Sequence, residues 1–146
     1  MAVISYNAYR GVANVMTTGL DSLAATTGKA ISAAFDNSSD LDPFADFELL
    51  VSNASAPTVN TVFELYIVPS IDGGTNYADG SASILPQSAL YVGGFVVRAV
   101  TGAQRMVLPG IRIQPGFMKF VVQNTTNQTL STGNTLRWNK YSMKVV

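Results

Sequence analysis

Histidine and cysteine are both absent from this chain of 146 residues. Those two side chains supply most general bases, thiol nucleophiles and soft metal ligands near neutral pH. Without them the chain cannot build a Ser-His or Cys-His hydrolase, a zinc or iron–sulfur site, or a thiol redox centre. Carboxylate chemistry, lysine chemistry, hard-cation binding or no chemistry at all is what remains.

Charge is also scarce. Only 12% of residues are Asp, Glu, Lys or Arg, about half the usual quarter. Scarce charge with abundant Ser, Thr, Asn, Gly and Ala suits a surface that meets other protein, although many β-sandwiches also cover themselves this way. The formal net charge is zero, so no overall field draws the chain to nucleic acid or to an anionic membrane. The distribution is uneven. All nine acids lie between Asp21 and Asp79, and seven of the nine bases between Arg98 and Lys144. Two arrangements satisfy this: acidic and basic surfaces that meet across subunits, or halves that interleave in one sandwich and cancel locally.

No long hydrophobic run is present. Residues 11–35 lean apolar, but Asp21 and Lys29 interrupt them, which argues against a membrane span. Residues 1–10 lack the basic start and apolar block of a signal peptide. Assembly in a reducing cytoplasm is the expectation, in keeping with the missing cysteines.

What the chain does have is alternation with period two, the mark of half-buried strands. Over residues 46–52, Phe47, Leu49 and Val51 share a face. Over 62–68 it is Phe63, Leu65 and Ile67, and over 117–123 it is Met118, Phe120 and Val122. Further strands are expected at 29–35, 89–99, 104–108, 111–113 and 134–145. Turn-forming residues at 37–40, 54–57, 72–74, 102, 109–110, 115–116 and 132–133 separate them. The expected fold is all-β: an antiparallel two-sheet sandwich of about eight strands, jelly-roll-like. Phe47, Leu49, Phe63, Leu65, Ile67, Phe95, Met118, Phe120 and Trp138 form its predicted core. After Trp138 the pattern passes to Tyr141, Met143 and Val145, which predicts a bulge near Asn139 or Lys140.

Residues 1–28 read differently and are set apart from a sandwich domain at 29–146. They are an N-terminal arm or a first strand, with one short helical turn possible over 20–25. Tyr6, Tyr9, Arg10 and Val12 are the candidate interface residues there, because they offer apolar surface with a single base.

Three constellations bear on chemistry. Ser70, Asp72, Gly73, Gly74 and Tyr77 fit an Asp-centred turn in which the carboxylate bonds its own backbone and a ring packs behind. A calcium loop through Asp72, Asn76 and Asp79 is the sharper alternative, but the spacing departs from an EF-hand and no bidentate Glu follows. Glu48 and Glu64, on supposed neighbouring strands, could form a glycosidase pair, or be two exposed residues each near a base. Arg98, Arg112 and Lys119 with Tyr91 and Phe95 could bind single-stranded nucleic acid, but they are scattered. The expectation is no catalytic residue, no metal, no cofactor, no nucleic acid and no membrane partner.

Several segments together resemble a group of small virion proteins of tailed bacteriophages. They are Asp-Asn-Ser-Ser at 36–39, Ala-Asp-Phe-Glu-Leu at 45–49, Glu-Leu-Tyr-Ile-Val-Pro-Ser-Ile-Asp-Gly at 64–73 and Asn-Tyr-Ala-Asp-Gly at 76–80. Further along come Ala-Gln-Arg at 103–105, Leu-Pro-Gly-Ile at 108–111, Gln-Pro-Gly-Phe at 114–117, Lys-Phe-Val-Val-Gln-Asn at 119–124 and Ser-Thr-Gly-Asn-Thr-Leu at 131–136. Such proteins resemble capsid cement, or decoration, proteins, which sit on the capsid exterior and fasten neighbouring capsomers. The resemblance implies the major capsid protein and other copies of this chain as partners, with a trimer favoured. It carries over no catalytic residue and does not extend to the first 30 residues. The alternative expectation is a receptor- or carbohydrate-binding module of a tail fibre or baseplate, against which the single Trp and the scattered tyrosines count.

Overall fold

Residues 3–145 are described by the computed structural model. They form eleven strands: β1 (Ile4–Tyr6), β2 (Val12–Met16), β3 (Lys29–Ile31), β4 (Phe35–Asp36), β5 (Phe44–Asn53), β6 (Val62–Pro69), β7 (Tyr91–Val96), β8 (Gly102–Arg112), β9 (Phe117–Asn124), β10 (Thr135–Tyr141) and β11 (Met143–Val145). One 3-10 turn, Ser88–Leu90, precedes β7. All pairings are antiparallel.

One sheet has the order β2-β10-β5-β8 and the other β3-β9-β6-β7, with β4 also on β9. The pairs β2·β10, β3·β9, β5·β8 and β6·β7 match each strand of the first half with its counterpart from the second. The chain is thus one long antiparallel ribbon wound into two sheets, which is the jelly roll. The ribbon continues outward as β1·β11, a two-stranded sheet of its own. This winding explains the uneven charge. The acid-bearing strands of the first half lie beside the base-bearing strands of the second. Glu48 of β5 pairs with Arg105 of β8 and Arg137 of β10, and Asp40 pairs with Lys140. These acids and bases cancel within one molecule.

Alternation along each strand sends one set of side chains inward. Phe47, Leu49, Phe63, Leu65, Ile67, Phe95, Met118, Phe120 and Trp138 are all buried, as the period-two pattern requires. At the centre, the Phe120 ring meets those of Phe35, Phe47 and Trp138 with centroids 5.6, 5.2 and 5.2 Å away. Edge-on contacts of this kind suit the aromatic quadrupole.

Three expectations are corrected. The turn expected at Pro109-Gly110 is no break, because β8 runs through it as one strand. Its position on the sheet edge tolerates a proline, and the pairing shifts register opposite, between Ala45 and Phe47. The bulge near Asn139 is not found either. Lys140 keeps the inward phase of Leu136 and Trp138, and the one irregularity along β10, opposite Leu136/Arg137, is an extra residue of β2, Val15. The pattern changes at Ser142 because the chain leaves the sandwich there and joins β1 as β11. Finally, residues 20–25 form reverse turns rather than a helical one, closed by bonds such as Leu23 N–H to Leu20 C=O.

The segment 1–28 divides into two parts. Residues 4–11 lie outside the sandwich. Val15 and Met16 of β2, with Leu20 and Leu23 of the following turns, are buried in the main core.

Candidate contact face

The outer surface of the β2-β10-β5-β8 sheet, together with the β1·β11 ribbon, gathers the most chemistry. Residues of β5 and β10 that alternate with the core set point outward here: Phe44, Asp46 and Glu48, and Arg137, Asn139 and Tyr141. Antiparallel pairing sets Phe44 opposite Tyr141, Asp46 opposite Asn139 and Glu48 opposite Arg137. Tyr141 is the hub of an aromatic cluster. Its ring centroid lies 5.8 Å from that of Tyr6, 5.2 Å from Tyr9 and 5.7 Å from Phe44. Tyr6 and Tyr9 remain 71% and 55% exposed.

Polar groups lock this surface. The Tyr9 hydroxyl donates to Asp46 Oδ2 at 2.5 Å, and the Gly110 N–H donates to Asp46 Oδ1 at 2.7 Å. The hydrogen bond to Asp46 raises the Tyr9 phenol above its ordinary pKa, since ionisation would place two anions together. Glu48 Oε1 accepts from Arg137, and both Glu48 oxygens accept from Arg105. Burial would raise this carboxyl, but the hydrogen bonds of Arg137 and Arg105 outweigh it and hold the group below its usual range. A shallow cavity of about 190 Å³ runs between Tyr9, Val12, Asp46, Val107, Arg137 and Asn139.

Of the four candidate interface residues, the structure places Tyr6, Tyr9 and Val12 on this one exposed side. Arg10 has an internal task. Its Nε donates to Asp42 Oδ2 at 2.9 Å, and its backbone N–H donates to Lys140 C=O. Asp42 is 1% exposed, so the guanidinium covers a buried carboxylate. Beside it, Lys140 Nζ donates to Asp40 at 2.6 Å and to Asn37 Oδ1 at 3.3 Å. Together these groups fasten the start of the chain to the loop before β5. Tyr141, Phe44 and Asp46 escaped the sequence reading as site residues. Their outward phase on β5 and β10 was the one available signal.

The other constellations do not become sites. Asp72 is engaged by its own turn: Oδ1 accepts from Ser70 Oγ, Thr75 N–H and Asn76 N–H, and Oδ2 from Asn76 Nδ2. These donors, Asn76 foremost, lower its pKa to about 2. Gly74, at φ +88°, completes the turn against Phe117. Glu48 and Glu64 are not on neighbouring strands, as the sequence suggested, because β5 and β6 belong to different sheets. Both alternate with core residues, so the pair faces away on opposite sides of the sandwich. Arg112 and Lys119 likewise fall in different sheets, Phe95 is buried, and Lys119 sits over the Tyr77 ring at 4.2 Å. Among the described residues, no group of three or more Asp or Glu is placed to hold a metal ion. Nor, among the described residues, is any helix long and apolar enough to cross a membrane.

No family model matches the chain, and no curated protein matches it. Among solved structures it is similar to the CBM36-1 domain of a multidomain xylanase from the hindgut metagenome of Trinervitermes trinervoides. That likeness has a TM-score of 0.43 at 11% identity, over 100% of this chain and 97% of the other. A carbohydrate-binding module CBM36 in complex with calcium and xylotriose gives a TM-score of 0.45 at 10% identity, over 100% and 99%. A CBM35 from Cellvibrio japonicus Abf62 gives 0.44 at 12% identity, over 99% and 96%.

Proposed function

We propose that this chain is a non-catalytic binding protein of a tailed-phage virion, a capsid cement protein that fastens neighbouring capsomers through its N-terminal ribbon and the adjoining sheet face. The observation that carries the reading is the make-up of that surface. Val3, Ile4, Tyr6, Tyr9, Val12 and Met143 are all exposed there, while Asp46 and Glu48 already hold internal partners. Aliphatic side chains and tyrosines around occupied polar groups are what a protein contact requires. On the sheet face, Glu48 offsets part of the charge of Arg105 and Arg137. The partners would be the major capsid protein and other copies of this chain, at the capsid exterior.

A second reading is a receptor- or carbohydrate-binding module of a tail fibre or baseplate, and one observation favours it. Tyrosines that look scattered in sequence come together as Tyr6, Tyr9 and Tyr141, beside a cavity with Arg137 and Asn139 in its lining. Exposed rings next to amide and guanidinium donors suit a sugar, which offers C–H faces and hydroxyls. What favours the protein contact over it is ring geometry. Tyr6 and Tyr9 stand at 67° and 75° to Tyr141, so neither extends the Tyr141 ring into a flat platform.

Electron microscopy of purified particles separates the two. Regular copies over the shell, with residues 4–12 at the contact, support the cement reading. Copies confined to the tail, together with oligosaccharide binding that Tyr9→Ala abolishes, support the second reading and overturn the first.

A further inference from the structure

Resting on the cement reading, we propose that β1 pairs edge to edge with β1 of a second copy, across a two-fold axis at Ser5. Exposed strand edges are pairing sites, and proteins blunt them with charge, proline, bulges or brevity. The other edges here carry such devices. β8 has Pro109 and a register shift, β2 pairs through a bulge at Leu136/Arg137, and β7 through one at Leu65/Tyr66. The remaining edge of the second sheet is split into β3 and β4. On the ribbon itself, Lys144 occupies the middle of β11. Two-fold pairing there would set Lys144 against its own copy, which like charge disfavours. β1 is short, at three residues, but has none of the other guards, and it pairs with β11 without a bulge. No charged side chain precedes Arg10 in the sequence, nor does any proline.

The register follows from the hydrogen bonds. Asn7 N–H donates to Ser142 C=O at 2.8 Å, and Ser5 lies opposite Lys144. Backbone groups alternate sides along a strand, so Ser5 and Asn7 turn theirs to β11. Those of Ile4 and Tyr6 turn to the open edge. A two-fold axis at Ser5 places Ile4 opposite Tyr6 of the second copy, and each such pair can exchange two N–H···O=C bonds. It also stacks isoleucine on tyrosine, a favourable cross-strand pair, from side chains that are 69% and 71% exposed. The exposed portions of Val3, Ile4, Tyr6, Tyr9, Val12 and Met143 around this edge offer at most an area on the order of 700 Å² per copy, against the roughly 800 Å² per partner of a standard interface.

The test uses the absence of native cysteine. Ser5→Cys introduces a single thiol at the axis, in a pair whose side chains approach closely. Mild oxidation of the full-length variant should yield mostly cross-linked dimer. Val3→Cys, which this register sets against position 7, should yield several-fold less. Wild-type protein should sediment as a dimer at micromolar concentration, and Ile4→Lys as a folded monomer with an unchanged circular dichroism spectrum. Monomeric wild type, or equal cross-linking at positions 3 and 5, overturns the pairing. Shell binding is scored separately. A monomer that still decorates shells refutes the β1 pairing alone, whereas a Ser5-linked dimer that binds no shell refutes the cement reading alone.

Discussion

Tyr9 donates its hydroxyl to Asp46 across 37 positions of sequence, at 2.5 Å. The other oxygen of Asp46 holds the Gly110 N–H at 2.7 Å. One carboxylate therefore ties the N-terminal segment to β5 and to the irregular point of β8. Replacing Asp46 with Asn removes the charge that resists phenol ionisation. The Tyr9 pKa should then fall back toward that of a free tyrosine. The difference between absorbance titrations with and without Tyr9→Phe isolates this group. An unmoved midpoint would show that the bond does not form in solution.

Truncation should separate the two parts of the N-terminal segment. Deleting residues 1–9 removes the ribbon strand β1 and should leave a cooperative fold. Deleting residues 1–20 also removes Val15, Met16 and Leu20, which are buried. At about 1.5–3 kcal/mol for each buried side chain, that loss is about 5–9 kcal/mol, comparable to the whole stability of a typical domain. Urea titration of both chains is the measurement. A stable fold after removal of 20 residues would place these side chains outside the core.

Stability should fall on acidification and stay level near neutrality. The carboxyls of Asp40, Glu48 and Asp72 all have folded pKa values below their ordinary ones. A depressed carboxyl stabilises the fold above its unfolded pKa, and that contribution is lost as pH falls through its folded pKa. For Asp72, the window runs from about pH 4, the unfolded value, down to about 2. With no histidine in the chain, the melting temperature should be flat between about pH 5 and 8. Asp72→Asn should flatten part of the acid limb and speed amide exchange at Thr75 and Asn76. A step near pH 6 would contradict the assignment.

Core and surface aromatics should respond very differently. Phe120→Ala opens a cavity among Phe35, Phe47 and Trp138 and should cost about 3–5 kcal/mol, as should Phe63→Ala. Tyr6→Ala should cost within about 0.5 kcal/mol, since its ring is mostly exposed. Equal effects at positions 6 and 120 would invalidate the assignment of inner and outer faces.

Much of the sandwich was legible in local pattern. Phe47, Leu49, Phe63, Leu65, Met118 and Phe120 recur with period two, and a strand with that period has one apolar face whatever lies beside it. The absent histidine and cysteine likewise excluded whole chemistries without reference to any fold. Periodicity, however, says which way a residue faces and not which strand is its neighbour. Only the jelly-roll winding sets β10 against β5 and β2. That pairing brings Tyr141 to Tyr6 and Tyr9, gives Glu48 two arginines, and sends Glu64 to the opposite side. Lys140 followed an inward phase that sequence assigned to a bulge, because Asp40 and Asn37 wait there to accept its charge. A buried ammonium needs such partners, and partners 100 and 103 residues away exist only once the chain has folded.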